Sequence, residues 1–177
     1  MHTIQRSEQR GKSELSWLHS RFSFNFANYY NPNRTGFGKL LVLNDDIIEP
    51  GTGFGEHSHD NMEIISIATE GELSHKDSTG AEEVIKPGEL QVMSAGSGMT
   101  HSEYNHSKTK PAKFFQIWIE SNKPEMKPRH KKKVFKLQKN KLQLVISPKD
   151  IYQDASIYLG KFDKGLKSKQ TKEFSYL

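Results

Sequence analysis

Two stretches of this chain set metal-ligating side chains at the spacing of an extended strand: Gly51-Thr-Gly-Phe-Gly-Glu-His57-Ser-His59-Asp-Asn-Met-Glu63 and Met93-Ser-Ala-Gly-Ser-Gly-Met-Thr-His101-Ser-Glu103-Tyr-Asn105. Successive side chains on a strand alternate faces, so His57 and His59 point one way together, as do His101 and Glu103. Side by side, two such strands bring three imidazoles and one carboxylate to a point. That donor set suits iron, manganese, cobalt, nickel, copper or zinc, and it leaves coordination positions open on an ion that takes five or six partners. Zinc would favour a closed tetrahedral site. Because the donors must be deprotonated to bind, occupancy is expected to fall as the pH drops toward the histidine range.

The rest of the chain reads as short strands broken by turn residues. Phe22, Phe24 and Phe26 alternate with polar residues, giving a strand with one buried aromatic face. Residues 40–43 form a strand that Asn44-Asp-Asp46 is expected to end in a turn. Continued alternation after His57 puts Glu63, Ile65 and Ile67 on the histidines' face. A short strand over 72–76 carries His75, read as an ordinary polar strand residue, and strands over 89–93 and 114–119 follow. Everything from 36 to 119 is strand or turn at the spacing of an antiparallel barrel. Further strands are expected at 142–146 and 151–158, with an end strand within 162–177.

Composition removes several classes of chemistry. There is no cysteine, so disulfides, thiolate zinc sites and thiol nucleophiles are out. No phosphate-cradling glycine loop opens a helix, and no paired carboxylates suggest glycosidase work. The net charge of +5 comes largely from the second half, including Arg129-His-Lys-Lys-Lys133. That run follows Pro124 and Pro128 and reads as a solvated connection; nucleic acid is not expected, because no interleaved aromatics or reader motif accompany it. The apolar runs fall far short of a membrane span and no leader-like segment opens the chain, so a cytoplasmic protein without a membrane partner is expected.

The pattern Gly51, His57-x-His59, Glu63, Gly71, then Gly88, His101 and Asn105 resembles the two motifs of the cupin superfamily. More narrowly, Arg21-Phe-Ser-Phe, residues 36–46, Met62-Glu-Ile-Ile65, His75-Lys-Asp-Ser78, Gly96-Ser-Gly98, His101-Ser-Glu103 and Gln116-Ile-Trp-Ile119 resemble the pirin family. The resemblance implies an all-β cupin double-stranded β-helix, or jelly-roll barrel, over residues 1–122. A linker and an incomplete second cupin-like segment over 123–177 would follow. It also implies a metal-dependent dioxygenase, quercetin 2,3-dioxygenase-like, acting with O2 on a flavonol or similar small aromatic. His57, His59, His101 and Glu103 would hold the metal, iron first among the candidates. Glu63, often a ligand in the general cupin pattern, would here support the site or act as base for the substrate hydroxyl, so Glu63 and Glu103 are the catalytic carboxylates of this reading. Relatives commonly carry proline and a basic residue where Ser58 and Asp60 stand, so the rim here is more acidic. A partial second barrel would leave strand edges open, and a homodimer through the C-terminal segment would cover them. The alternatives are a non-catalytic, redox-responsive metal-binding interaction module, and a site that only stabilises the fold.

Overall fold

A computed structural model describes residues 4–165. Its strands are β1 (Gly11–Glu14), β2 (Leu18–Phe22), β3 (Leu40–Ile48), β4 (Gly53–His59), β5 (Met62–Glu70), β6 (Leu73–Asp77), β7 (Glu82–Ile85), β8 (Glu89–Ser94), β9 (Met99–Asn105), β10 (Ala112–Glu120), β11 (Arg129–Val134), β12 (Leu142–Ile146) and β13 (Ile157–Gly160). A seven-stranded sheet in the order β1-β2-β3-β10-β5-β8-β11 faces a four-stranded sheet in the order β4-β9-β6-β7, and β12 pairs with β13 alone. All the ladders between named strands are antiparallel. No helix among the described residues is long and apolar enough to cross a membrane.

The space between the two sheets is apolar at its ends and polar in its middle. One end holds Leu18, Ile48, Ala68, Leu73, Ile85, Ala112 and Phe114. The other holds Ile64, Met93, Ala95 and Met99, with Met62 and Trp118 against them. Between them a row of polar side chains crosses the large sheet, because Asn44 pairs with Gln116, Gln116 with Ser66 and Ser66 with Gln91 in adjacent strands. This row explains a difference from the sequence reading: Asn44-Asp-Asp46 does not turn the chain but lies inside the nine-residue β3. Asn44 and Asp46 are buried, and Asp46 accepts a hydrogen bond from the Ser20 hydroxyl. Burial pushes the Asp46 carboxyl up to about 7, partly offset by that hydroxyl. A polar run marks a turn only when solvent takes it; here the barrel interior does.

The large sheet is buried on its outer face too. Ile65, Ile67, Leu90, Val92, Ile117 and Ile119 pack there against Val145, Ile146 and Ile151 from the C-terminal segment. Hence β5 is buried on both faces along most of its length. The basic run at 129–133 is the edge strand β11, paired with β8, rather than a solvated connection. Its alternation directs charges two ways. Lys131 and Lys133 reach Asp150 of the C-terminal segment at 3.2 and 2.7 Å, while Lys132 reaches Glu83 of the small sheet at 2.9 Å. Of the C-terminal expectations, the 142–146 strand is present, the next starts only at Ile157, and most of the end strand expected within 162–177 lies outside the described residues.

Because Ile146 is fully buried against the outer face of the large sheet, Ile146→Ala is expected to lower the unfolding free energy of the whole protein by about 2–5 kcal/mol. Urea denaturation followed by tryptophan fluorescence checks this. A midpoint equal to wild type would mean the C-terminal segment does not stabilise the barrel.

Candidate metal centre

The small sheet builds the site. In β9 every second residue faces inward: Met99, His101, Glu103 and Asn105 are buried, whereas Thr100, Ser102 and Tyr104 are not. Strand β4 lies along one side of β9 and β6 along the other. His57 sits opposite His101, and a register irregularity between Phe54 and His57 re-aims the histidine end of β4. The approach is close at the other end of that pair, where a Cβ on Gly53 would come within 2.2 Å of the Glu103 carbonyl oxygen. Asn105 ties down the end of β9 by donating to the carbonyls of Ile48 and Lys110.

His57, His59 and His101 converge as the alternation requires. Their ring centroids lie 4.9 Å (57 to 59), 4.4 Å (57 to 101) and 5.0 Å (59 to 101) apart. One ligating nitrogen from each falls within 4.8 Å of the other two. The Nδ1 of His57 is 2.7 Å from the Gly55 carbonyl and donates to it, which leaves its Nε2 with a lone pair to offer. Nε2 of His59 and both ring nitrogens of His101 are buried without a hydrogen-bond partner. Buried ring nitrogens without a partner among the described residues are costly, and at this convergence His59 and His101 each have one to offer a cation. Burial, with the neighbouring imidazoles adding to it, pushes the pKa of His59 down to about 4 and that of His101 to about 3. Both rings are therefore neutral at pH 7, the form that ligates. The donor chemistry fits a divalent transition metal.

Glu103 enters the cavity from β9 between His75 on β6 and Phe54 on β4. Its Oε1 accepts from Ser66 Oγ at 2.7 Å and Gln91 Nε2 at 2.6 Å, and its Oε2 from Gln116 Nε2 at 2.6 Å. The carboxylate is thus seated in the polar row of the large sheet. Its oxygen groups with His75 and His101 rather than with His57 and His59 together.

Glu63 requires a correction. The chain turns between β4 and β5, with Asn61 at φ 47°, so the alternation does not carry through from His59. On β5 it is Ser66 that meets Glu103 and Ile64 that packs with Met99, while Ile65 and Ile67 face the C-terminal segment. Glu63 shares that outer face. It accepts a hydrogen bond from Ser94 Oγ at 2.6 Å, and burial raises its pKa against the hydrogen bonds from Ser94 and the Tyr152 backbone. It is turned away from the histidines and cannot serve a substrate there.

Sequence reasoning also passed over His75, whose side chain is wholly buried and whose Nε2 is 2.8 Å from Asp77 Oδ2. The signal was present: in Leu73-Ser-His75-Lys-Asp77 every second residue is buried, which puts both side chains inward. The amides of Gln91 and Gln116 were likewise unread, because a lone glutamine on a strand carries no signature of what it faces. Near the histidines, Trp118 meets His59 edge to face at 4.7 Å and Phe26 at 5.4 Å, forming an aromatic wall.

The depressed values of His59 and His101 fix a sign. A histidine whose folded pKa lies below its unfolded value of about 6.5 binds fewer protons when folded, so stability falls as the pH drops from about 7 toward 4. Metal-free protein is therefore expected to lose thermal stability over that range, and bound metal to restore it. Proton NMR of the ring Cε1–H groups should show two histidines titrating near pH 4 and 3. Midpoints near 6.5 for both would contradict the burial argument.

The pirin family model matches residues 3–119 of the chain. Over 161 residues the chain is 43% identical to the Escherichia coli K12 protein named quercetin 2,3-dioxygenase, covering 88% of this chain and 69% of that one. The crystal structure of the bacterial pirin YhhW from Escherichia coli in complex with nickel(II) superposes with a TM-score of 0.82 at 43% identity, covering 86% of this chain and 68% of the other. A quercetin 2,3-dioxygenase structure from Acinetobacter baumannii, 20% identical with a TM-score of 0.59 over 80% of this chain and 48% of its own, shares the fold. This chain thus spans about two thirds of the length of the Escherichia coli proteins. With its facing antiparallel sheets, paired histidine strands and these matches, the chain belongs to the pirin family of cupin barrels.

Proposed function

We propose that the protein is a metal-dependent dioxygenase of the pirin type, quercetin 2,3-dioxygenase-like, that opens a flavonol or a similar small aromatic with O2. The observation that carries this is the convergence of His57, His59 and His101, the last two neutral at pH 7 and with buried nitrogens that have no partner among the described residues, beside an aromatic wall. The name of the 43% identical Escherichia coli relative supports the reaction, and the nickel complex of YhhW supports a divalent metal in this fold. Iron is the first metal to test, because imidazole with carboxylate and open positions is the ligand set of non-haem iron oxygenases.

In this reading Glu103 completes the ligand set as its anionic member. Oε2, which accepts from Gln116 alone, has the lone pair to give, while Ser66 and Gln91 hold Oε1. A bound metal supplies Lewis acidity toward the substrate's hydroxyl and ketone oxygens and, if redox-active, a place for dioxygen. The protein supplies the rest. Met62, Met99 and Trp118 exclude water from one side, and the indole of Trp118, whose Nε1–H has no partner, offers an edge and a donor to an aromatic ligand. Glu63 faces away, so Glu103 is the carboxylate on the histidines' side, and Ser66, Gln91 and Gln116 hold it as a ligand rather than as a proton acceptor.

The test loads metal-free protein with Fe2+, Mn2+ or Ni2+ and follows quercetin absorbance and oxygen uptake together, against metal alone. At least one metal is expected to give one O2 consumed per flavonol, with His101→Ala lowering kcat/KM by at least about 100-fold through loss of metal. Tight metal binding with no flavonol loss would overturn the dioxygenase and leave a metal-binding interaction module.

A further inference from the structure

His75 has no part in the site just proposed, yet it is built as a metal ligand is built. It is 1% exposed, as is Glu103, and His101 is 2% exposed. Asp77 Oδ1 accepts from the Thr79 backbone N–H at 2.8 Å, the Thr79 hydroxyl at 2.6 Å and the Ala81 N–H at 3.3 Å, so the turn after β6 fixes this carboxylate as an acceptor. Its other oxygen faces His75 Nε2 at 2.8 Å. When the ring carries a single proton, Asp77 draws it to Nε2, and Nδ1 is left with a bare lone pair. That Nδ1 is buried and has no hydrogen-bond partner. A carboxylate behind one ring nitrogen with the other aimed into a cavity is the arrangement that orients ligating histidines.

Two further groups meet His75 there. Ligand atoms of His75, His101 and Glu103 all lie within 4.8 Å of one another, a second convergence beside the three-histidine one. Each is held from behind or free to bind. The ring of His130 stacks on that of His75 at 4.5 Å and 14°. His130 Nε2 lies 3.3 Å from Gln91 Oε1, and Gln91 in turn donates to Glu103. Both nitrogens of His101 are unpartnered, so that ring can serve either convergence.

We propose that the cavity contains an inner divalent-transition-metal position, displaced toward β6, with His75 Nδ1, His101 and Glu103 as its ligands. Two imidazoles and one carboxylate with open positions suit Fe2+, Mn2+ or Co2+. The proposal rests on the reading of the cavity as metal-binding and extends it to a histidine outside that ligand set. Serving both positions at once would take from His101 its one remaining ring proton and leave an imidazolate, so the two are alternatives for one ion. The outer position is that of His57, His59, His101 and Glu103, and the inner one takes the ion when the His57 and His59 ligands are lost.

Cobalt(II) binding, read by calorimetry and visible absorption, tests this without recourse to activity. Wild type is expected to bind one ion per chain. The His57→Ala/His59→Ala variant should still bind one, with an altered absorption spectrum. Adding His75→Gln to that variant should weaken binding by more than the roughly 10–100-fold that loss of a merely supporting partner costs. Long-range 15N spectra of metal-free wild type supply a check independent of any variant's folding: His75 should carry its proton on Nε2, and Nδ1 should shift when Co2+ is added to the double variant. If wild type binds Co2+ and the double variant does not, or if His75→Gln leaves the double variant's affinity unchanged, the inner position is overturned and His75 is a hydrogen-bond donor to Asp77 only. If wild type binds none, the metal reading of the whole cavity falls with it.

Discussion

A carboxylate buried between two sheets must be matched by donors, and the seating of Glu103 is the constraint around which this barrel is arranged. Ser66, Gln91 and Gln116 come from three neighbouring strands of the large sheet and meet one side chain from the small one. Leaving such an anion without partners would cost several kcal/mol, so these bonds fix the sheets' relative placement more sharply than the apolar contacts at either end. Once Glu103 is seated, its neighbour two residues back, His101, must point into the same space. The His57 and His59 rings follow from the β4 and β9 register. The polar row across the large sheet matches the seated carboxylate, and it interrupts the barrel's apolar filling in the layer that holds Glu103 and the histidines.

Much of this was legible because period-two alternation survives folding wherever a strand has one polar and one buried face. The inward set Met99, His101, Glu103, Asn105 and the pair His57, His59 could be read directly. Alternation failed as a guide in two situations. At Glu63 it was carried across the turn at Asn61, where the chain passes from one sheet to the other and the parity resets. At Asn44 and Asp46, polar residues that look like a turn are strand residues facing a polar interior. His75 illustrates a related limit: alternation with Leu73 and Asp77 points it inward, but what it meets there is set by His101, Glu103 and His130, all distant in sequence.

The outer face of the large sheet was the other feature hidden from the sequence. An apolar stripe on both sides of β5 signals two neighbours, but not which part of the chain supplies the second. The C-terminal segment does so, with Val145, Ile146 and Ile151 closing over the sheet. Asp150, in the same segment, is held there by charge. Burial alone would raise its pKa, but hydrogen bonds from Lys133, Ser147 and Lys131 outweigh that and keep it ionised.

The same ion pairs bear on how the molecule looks to a charged partner. Strand β11 concentrates cations in the sequence, but Lys131 and Lys133 are engaged by Asp150 and Lys132 by Glu83. Lys131 and Lys133 share one carboxylate, so the pair keeps a net positive charge while Lys132 is matched by Glu83. Along this edge part of the formal charge therefore acts as fastening between β11, the C-terminal segment and the small sheet.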